Sequence, residues 1–102
     1  MEVKDFQNKI IELVSKWDKK RKVVANEQET FTHLIEEVGE LARQYVNLQQ
    51  RKKLYSEKEI EDAIGDILVM LVILAHLRGL DIEEMILKNI KEQEKRLEEF
   101  EE

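Results

Sequence analysis

The sequence predicts an all-α fold: a four-helix bundle-like subunit with a buried central helix, assembling into a homo-oligomer. The chain has no proline, three glycines among its 102 residues and 6% aromatic residues, a composition that suits helices joined by short turns better than a sheet. Apolar residues recur at spacings of three and four along most of the chain. Residues 67–75 are apolar at every position, which predicts a helix that is buried on most sides.

The first half of the chain predicts two amphipathic helices. The first covers about residues 3–21 and ends in a basic run, residues 19–22, which complements the negative end of the helix dipole, with phosphate binding as the alternative role. The second covers about residues 28–50. The apolar stripes run through Val3, Phe6, Ile10, Leu13 and Trp17 in the first helix, and through Phe31, Leu34, Ile35, Val38, Leu41, Ala42, Tyr45 and Leu48 in the second.

The second half predicts two more helices, each opened by a capping box. Residues 56–59 have the capping-box spacing and start a helix that runs to about Arg78, where Gly79 supplies the left-handed residue that ends it. Residues 81–84 open the fourth helix in the same way. The short connection after residue 50 predicts that the second and third helices are antiparallel neighbours.

Composition and charge limit the classes of function. At 12.2 kDa the chain is a single domain, 1–102, and its net charge of −6 argues against binding of a nucleic acid polymer. The absence of cysteine and of a signal peptide predicts a cytoplasmic location, and no apolar stretch reaches the ~18 residues of a membrane span. Because three amphipathic helices cover only part of a central apolar helix, self-association is expected, with a compact monomeric bundle as the alternative.

Two groups of acidic residues lie on the predicted neighbouring helices. Glu36, Glu37 and Glu40 lie in the second helix, and Asp62 and Asp66 lie in the third, just before its apolar run. A solvated helix face is the simplest interpretation of the glutamates. A carboxylate beside a buried segment, however, must be paired, protonated or bound to a cation, and several carboxylates on adjacent helices repel one another unless a cation neutralises them. Mg²⁺ prefers such oxygen ligands.

Three segments resemble the MazG-like all-alpha nucleoside triphosphate pyrophosphohydrolases, whose signature is E-E-x-x-E followed by E-x-x-D. They are residues 36–42 (EEVGELA), 62–68 (DAIGDIL) and 79–84 (GLDIEE), and the similarity spans roughly residues 10–96. The resemblance implies a Mg²⁺-dependent enzyme, with Mn²⁺ as a possible substitute, that cleaves a nucleoside triphosphate to a monophosphate and pyrophosphate in nucleotide-pool house-cleaning. It also implies a dimer or tetramer.

The resemblance also implies roles for the acidic residues. Glu37, Glu40 and Asp66 correspond to metal ligands, and Glu36 corresponds to a residue that assists with the metal or the attacking water. One position departs from the motif, since Ala63 stands where the family has Glu. Asp62 lies four residues before Asp66 on the same face and is expected to act as a shifted metal ligand. A catalytically weak or inactive oligomerisation or binding protein of this fold is the alternative.

Candidates for binding the nucleotide come from the helix ends and from the last helix. Trp17 corresponds to an aromatic residue seen before the first motif in relatives and could stack on a base, with a core position as the alternative. Asn26 and Gln28, in the loop before the second helix, could read a base edge, although polar residues are common in loops. Cations and an amide that could meet phosphates are Lys52, Lys53, Asn89, Lys91, Lys95 and Arg96, although surface lysines usually serve solubility alone.

Other functional classes are less consistent with the pattern. Neither histidine has a second nitrogen or sulfur ligand nearby, which disfavours zinc, and His76 is expected in the core. A di-iron bundle would add Glu-x-x-His spacing, which both acidic motifs lack. A phosphoribosyl-ATP pyrophosphohydrolase would share the fold and differ in substrate, and a purely structural bundle would show no response to Mg²⁺.

Overall fold

A computed structural model describes residues 2–100, and this part of the chain consists of α-helices and one short 3-10 helix, without any strand. The helices are α1 (Val3–Arg21), α2 (Glu27–Gln50), the 3-10 helix η1 (Lys52–Leu54), α3 (Glu57–Leu77) and α4 (Ile82–Glu99). The prediction of an all-α chain with four main helices is therefore confirmed.

Side-chain caps fix three of the four helix starts. The Asn26 side chain accepts a hydrogen bond from the Glu29 backbone N–H at 2.8 Å at the start of α2. Ser56 accepts from the Glu59 backbone N–H at the start of α3, and Asp81 accepts from the Glu83 backbone N–H at the start of α4, so both residues act as N-caps. The predicted capping box at Ser56 is not completed, because the Ser56 backbone N–H donates to the Gln44 side chain. Gly79 adopts the left-handed conformation, with φ of 70°, just after α3, which confirms its predicted role in ending that helix.

Two polar side chains organise the turn between α2 and α3. The buried Asn47 amide donates to the Leu54 carbonyl at 3.3 Å, and the Gln44 side chain accepts from the Ser56 backbone N–H at 2.9 Å. These bonds hold η1 against the end of α2 and set the starting point of α3. The two helices then pack side by side over their length, which is the most extensive helix contact in the protein.

The core is small and lies where α1, α2 and α3 meet. Among residues 2–100 five apolar residues are buried, and they are Ile10, Leu34, Ala63, Val72 and Ala75. α1 packs against α3 and contributes Ile10 to the core, whereas Leu13 and Trp17 of its predicted apolar stripe are 49% and 48% exposed. Two of the five are alanines, so the helices approach closely but bury little apolar area in a single chain.

α4 leaves the other helices at a steep angle. The axes of α3 and α4 differ by 106°, and the contacts of α4 are with α1. Near the start of α4, Lys4 pairs with Asp81 at 3.1 Å, and the Ile82 backbone N–H donates to the buried Gln7 side chain at 2.9 Å. Residues 84–99 are exposed. The four helices therefore form an open arrangement within one chain.

The prediction of a central helix buried on most sides is wrong for the single chain. Because α4 turns away, one side of α3 has no neighbour, and Ile64, Leu68 and Leu71 are 45%, 50% and 43% exposed. His76, expected in the core, is also exposed. The radius of gyration is 17.0 Å, compared with about 13 Å for a compact domain of this length.

No single helix within residues 2–100 is long and apolar enough to cross a membrane; α3 and α4 meet that test only as a sharply bent pair.

Candidate functional site

The predicted acidic residues lie on the two helices that pack most extensively. Glu36, Glu37 and Glu40 lie near the middle of α2, and Asp62 and Asp66 lie in the first half of α3. Five carboxylates therefore belong to one α2–α3 hairpin. The antiparallel packing of the hairpin is what allows residues about 26 positions apart in the sequence to approach one another.

Glu37 is the electrostatic centre of this group. Its side chain is half-buried, and partial burial raises the pKa of its carboxyl above the ordinary value of 4.5. The negative charges of Glu40, Asp66 and Glu36, together with a hydrogen bond to Glu40, raise the pKa of Glu37 further. Glu37, Glu40, Asp66 and Glu36 thus share one region of negative potential, which we call the acidic cluster.

Two members of the predicted site have other partners in this structure. Asp62 forms an ion pair with Lys58, one turn earlier in α3, at 2.9 Å, and both side chains are exposed. Glu36 lies 3.6 Å from the Nδ1 atom of His33 on α2. Asp66, in contrast, is among the charges that raise the pKa of Glu37. The structure therefore places Asp66 with the glutamates and leaves Asp62 with its lysine.

The residues of the acidic cluster fit a metal ion in the type of ligand that they offer. All members of the acidic cluster are carboxylates, the ligand type that Mg²⁺ prefers, and their mutual repulsion at Glu37 is what a bound cation would relieve. Within residues 2–100 no three acidic, histidine or cysteine side chains converge closely enough to form a ready-made metal site. Holding a cation would thus require the flexible glutamates to change rotamer.

Beside Asp66 lies the best-formed cavity of the described part of the chain. It has a volume of about 260 Å³ and is enclosed by the end of α1, the loop of residues 22–26, the start of α2 and one side of α3. Val69, Met70 and Ile73 provide an apolar wall, while Asp66 brings one carboxylate of the acidic cluster to the cavity. The cavity thus joins an apolar space to the predicted metal ligands.

Trp17 lines this cavity and is 48% exposed, so it is not a core residue in the single chain. The guanidinium carbon of Arg21 lies 4.7 Å from the centre of the ring, in a cation–π contact between residues one helical turn apart. Arg21 lines the same cavity. One face of the indole is therefore already occupied by a flat, polar group.

The loop between α1 and α2 is held by hydrogen bonds from cavity residues. Asp18 accepts from the Ala25 backbone N–H at 3.2 Å through Oδ1, and Asn26 caps α2 through its own Oδ1. Both side chains line the cavity. Thr30 is buried and donates through its hydroxyl to the Asn26 carbonyl at 2.8 Å. These bonds fix the orientation of two polar side chains at the cavity wall.

The remaining predicted binding residues lie elsewhere in the single chain. Lys52 and Lys53 are exposed on η1, at the far end of the α2–α3 hairpin. The exposed residues Asn89, Lys91, Lys95 and Arg96 lie on the part of α4 that extends away from the core. None of these six residues lines the cavity beside Asp66.

Asp18 and Arg21 line the cavity and are not among the residues predicted to bind the nucleotide. Arg21 was assigned to the basic end of α1, where it complements the helix dipole. Its position four residues after Trp17 was the available signal, since that spacing places two side chains on one helix face. Asp18 carried no sequence signal, because its role depends on how the loop folds back.

Comparison with known proteins identifies one family. The model of the MazG-like family matches residues 21–102, a region that contains both acidic segments, the turn between them and α4. No curated protein and no solved structure matches the chain with significant similarity. The match covers well over half of the sequence, and on that basis this chain belongs to the MazG-like family.

Proposed function

We propose that this protein is a Mg²⁺-dependent nucleoside triphosphate pyrophosphohydrolase that acts on the cytoplasmic nucleotide pool. Membership of the MazG-like family indicates a nucleotide pyrophosphohydrolase type of function. The observation that carries the more specific proposal is the acidic cluster itself, in which four carboxylates from two helices share one region beside a cavity. Family membership and the cluster support the same chemistry through the same residues, since both acidic segments lie within the matched region.

The substrate class follows from the charges and the cavity. A triphosphate needs cations close to it, and the acidic cluster provides the ligands that would hold them. The cavity next to Asp66 has both apolar and polar walls and is slightly smaller than the ~300–1,000 Å³ typical of small-molecule pockets, so it suits a base or nucleoside while the phosphates remain at the cluster. Trp17 offers a partly exposed aromatic ring to that base.

The residues of the cluster have separate proposed roles. Glu37, Glu40 and Asp66 would hold Mg²⁺, and Asp62 would join them if its ion pair with Lys58 opened. When bound, the metal would neutralise phosphate oxygens and lower the pKa of water. Glu36, whose carboxylate lies beside His33, would accept the proton of the water that attacks the α-phosphorus. The bond to the bridging oxygen then breaks, and pyrophosphate leaves the monophosphate.

A homo-oligomer is part of the proposal. The single chain leaves large apolar side chains of α2, α3 and α4 exposed, and its predicted phosphate-binding cations on η1 and α4 lie outside the cavity lining. A second copy would cover the apolar surfaces and could bring the α4 residues Asn89, Lys91, Lys95 and Arg96 to a substrate. We therefore propose a dimer or tetramer as the active form.

The experiment is a nucleotide panel. Canonical and modified nucleoside triphosphates are incubated with the protein and Mg²⁺, and pyrophosphate and orthophosphate are measured separately. We expect monophosphate and pyrophosphate in equal amounts, with Mn²⁺ replacing Mg²⁺. Release of orthophosphate alone would contradict cleavage at the α-phosphorus, and a lack of any metal-dependent release would remove the enzyme proposal.

One observation favours a second candidate function. Ala63 replaces the motif glutamate and is buried, while the nearest acid, Asp62, is engaged with Lys58. A protein with only three metal ligands could bind nucleotide and hydrolyse it slowly or not at all. The same panel distinguishes this candidate, because it predicts metal-dependent nucleotide binding without pyrophosphate release.

A further inference from the structure

We propose that Lys58 acts as an internal cation that occupies Asp62 and thereby weakens the binding of a metal ion to the acidic cluster. This inference rests on the proposed function only in taking a divalent cation as the ligand of the cluster. It adds a group of the protein itself that competes with that cation for a carboxylate.

The first observation is the difference between positions 62 and 63 of α3. Ala63, which stands where the family motif has a glutamate, is buried, whereas Asp62 is exposed. Because consecutive residues of a helix point about 100° apart, a carboxylate at position 62 does not take the place of one at position 63. Asp62 lies instead one turn before Asp66, on the same exposed side of the helix.

The second observation concerns the two charged neighbours of Asp62 on that side. One turn earlier, the Lys58 Nζ atom donates a hydrogen bond to Asp62 Oδ2 at 2.9 Å. Asp66 lies one turn later, and its like charge repels Asp62. Side chains also lean towards the N-terminus of their helix, which for Asp62 is the direction of Lys58. Attraction, repulsion and helix geometry thus all hold the Asp62 carboxylate away from Asp66.

The ion pair reduces metal affinity because it must open before Asp62 can serve as a ligand. A protein whose binding-competent conformation is only partly populated binds its ligand more weakly in proportion to that population. The pair is exposed to water, and exposed pairs of this kind are weak. We therefore expect that removal of the Lys58 ammonium tightens metal binding about two- to fivefold.

The test measures the affinity of the whole chain for Mn²⁺ without nucleotide, by calorimetry and by the paramagnetic resonance signal of the free ion. Lys58→Met keeps a long aliphatic side chain and removes the ammonium, so it should bind Mn²⁺ more tightly than the native protein by the factor given above. Lys58→Arg keeps a cation that can pair with Asp62 and should retain the native affinity.

The decisive comparison repeats Lys58→Met in a chain that also carries Asp62→Asn. Loss of a positive charge favours cation binding through the general field of the protein, and this effect does not need the Asp62 carboxylate. Competition for Asp62 does need it, so the gain in affinity should largely vanish in the Asp62→Asn background. An equal gain in both backgrounds would identify a general charge effect and overturn the inference.

The matched control is Lys16→Met. Lys16 pairs with Glu12 at 3.1 Å over the same four-residue spacing on α1, and its removal should leave Mn²⁺ affinity unchanged. Native affinity in Lys58→Met, an equal gain in Lys16→Met, or undetectable Mn²⁺ binding by every chain would overturn the inference. Pyrophosphate release decides the proposed function separately. The expected affinities without pyrophosphate release would support this inference alone, and pyrophosphate release with native affinity in Lys58→Met would support only the enzyme.

Discussion

At the scale of the residue, the most informative side chain is Glu37. Its carboxyl is half-buried among like charges from Glu36, Glu40 and Asp66, and its pKa is raised as a result. Neighbouring negative charges destabilise the ionised form of such a carboxyl, and protonation or a bound cation removes this repulsion. Such a cluster of like charges is the arrangement expected of a site that binds a positively charged ligand.

The first prediction concerns the pH dependence of stability. The pKa of Glu37 is higher in the folded state than in the unfolded state. Protonation of Glu37 therefore stabilises the fold, and this contribution is fully present below the unfolded-state pKa. It is lost as the pH rises through the folded-state pKa. In EDTA at pH 7, Glu37→Gln should therefore melt at a higher temperature than the native protein. At pH 4 the difference should disappear.

The same variant provides a test of the metal. Mg²⁺ should raise the melting temperature of the native protein by binding the folded state, and it should raise that of Glu37→Gln less. Glu12→Gln, an exposed change on α1, controls for the loss of one negative charge. Equal stabilisation of both variants by Mg²⁺ would remove Glu37 from the metal site.

The second prediction separates function from folding at Asp66. Its side chain is exposed at the cavity, so Asp66→Asn should change the free energy of unfolding by no more than about 0.5 kcal/mol. Turnover should fall by roughly 100-fold or more, because an amide is a poor substitute for an anionic metal ligand. Pyrophosphate release and circular dichroism, measured on one preparation, check both halves. Asp62→Asn is the informative comparison, since retained activity would show that Asp62 stays with Lys58.

At the scale of the element, α2 and α3 each contain a glycine at a position where the single chain has room for a side chain. Gly39 lies between Glu37 and Glu40 in α2, and Gly65 precedes Asp66 in α3. A methyl group added at either position would meet no atom within 4 Å. Glycine within a helix costs about 1 kcal/mol relative to alanine, so these positions are locally unfavourable.

The third prediction follows from that open space. Gly65→Ala should raise the free energy of unfolding by about 1 kcal/mol in chemical denaturation. Gly79→Ala is the matched contrast, because Gly79 has φ of +70° and a side chain there is strained, with an expected loss of roughly 1–2 kcal/mol. A loss of stability at Gly65, accompanied by a lower molecular mass, would instead indicate that another copy of the chain approaches α3 at this point.

At the scale of the whole molecule, the open arrangement of helices is the dominant feature. The radius of gyration of 17.0 Å and the exposed side of α3 both result from the turn of α4 away from the α2–α3 hairpin. The part of the chain that the structure describes buries five apolar residues, a small core for a domain of this length. Stability is therefore expected to depend on association.

The fourth prediction tests this dependence with two equivalent substitutions. Leu68→Lys places a charge on the bare side of α3, where a second copy would have to bury it, and should convert the oligomer to a monomer with a lower melting temperature. Leu54→Lys places the same charge on a leucine that is 63% exposed on η1, outside the helices whose apolar surfaces the second copy would cover, and should have little effect. Sedimentation equilibrium gives the masses. A native protein that sediments at 12.2 kDa would contradict the proposed oligomer.

Much of the local structure was predictable because its causes lie within a few residues of one another. Periodic apolar residues set the helices, and Ser56, Gly79 and Asp81 set their ends through bonds to neighbouring backbone atoms. The resemblance of the acidic segments to the MazG-like family is likewise a matter of sequence spacing, and the family match over residues 21–102 confirms it.

The tertiary structure alone decided how these elements meet. The 106° turn of α4 left α3 half uncovered, where periodicity had indicated burial on most sides, because an apolar helix does not specify which neighbour covers it. The same packing brought Asp66 to a cavity with Trp17 and Arg21, and it left Asp62 with Lys58. Sequence by itself therefore determined the helices and the acidic motif, because these depend on short-range hydrogen bonds and on residue spacing. The cavity and the composition of the cluster were decided only by the tertiary structure, because contacts between distant segments depend on the path of the whole chain.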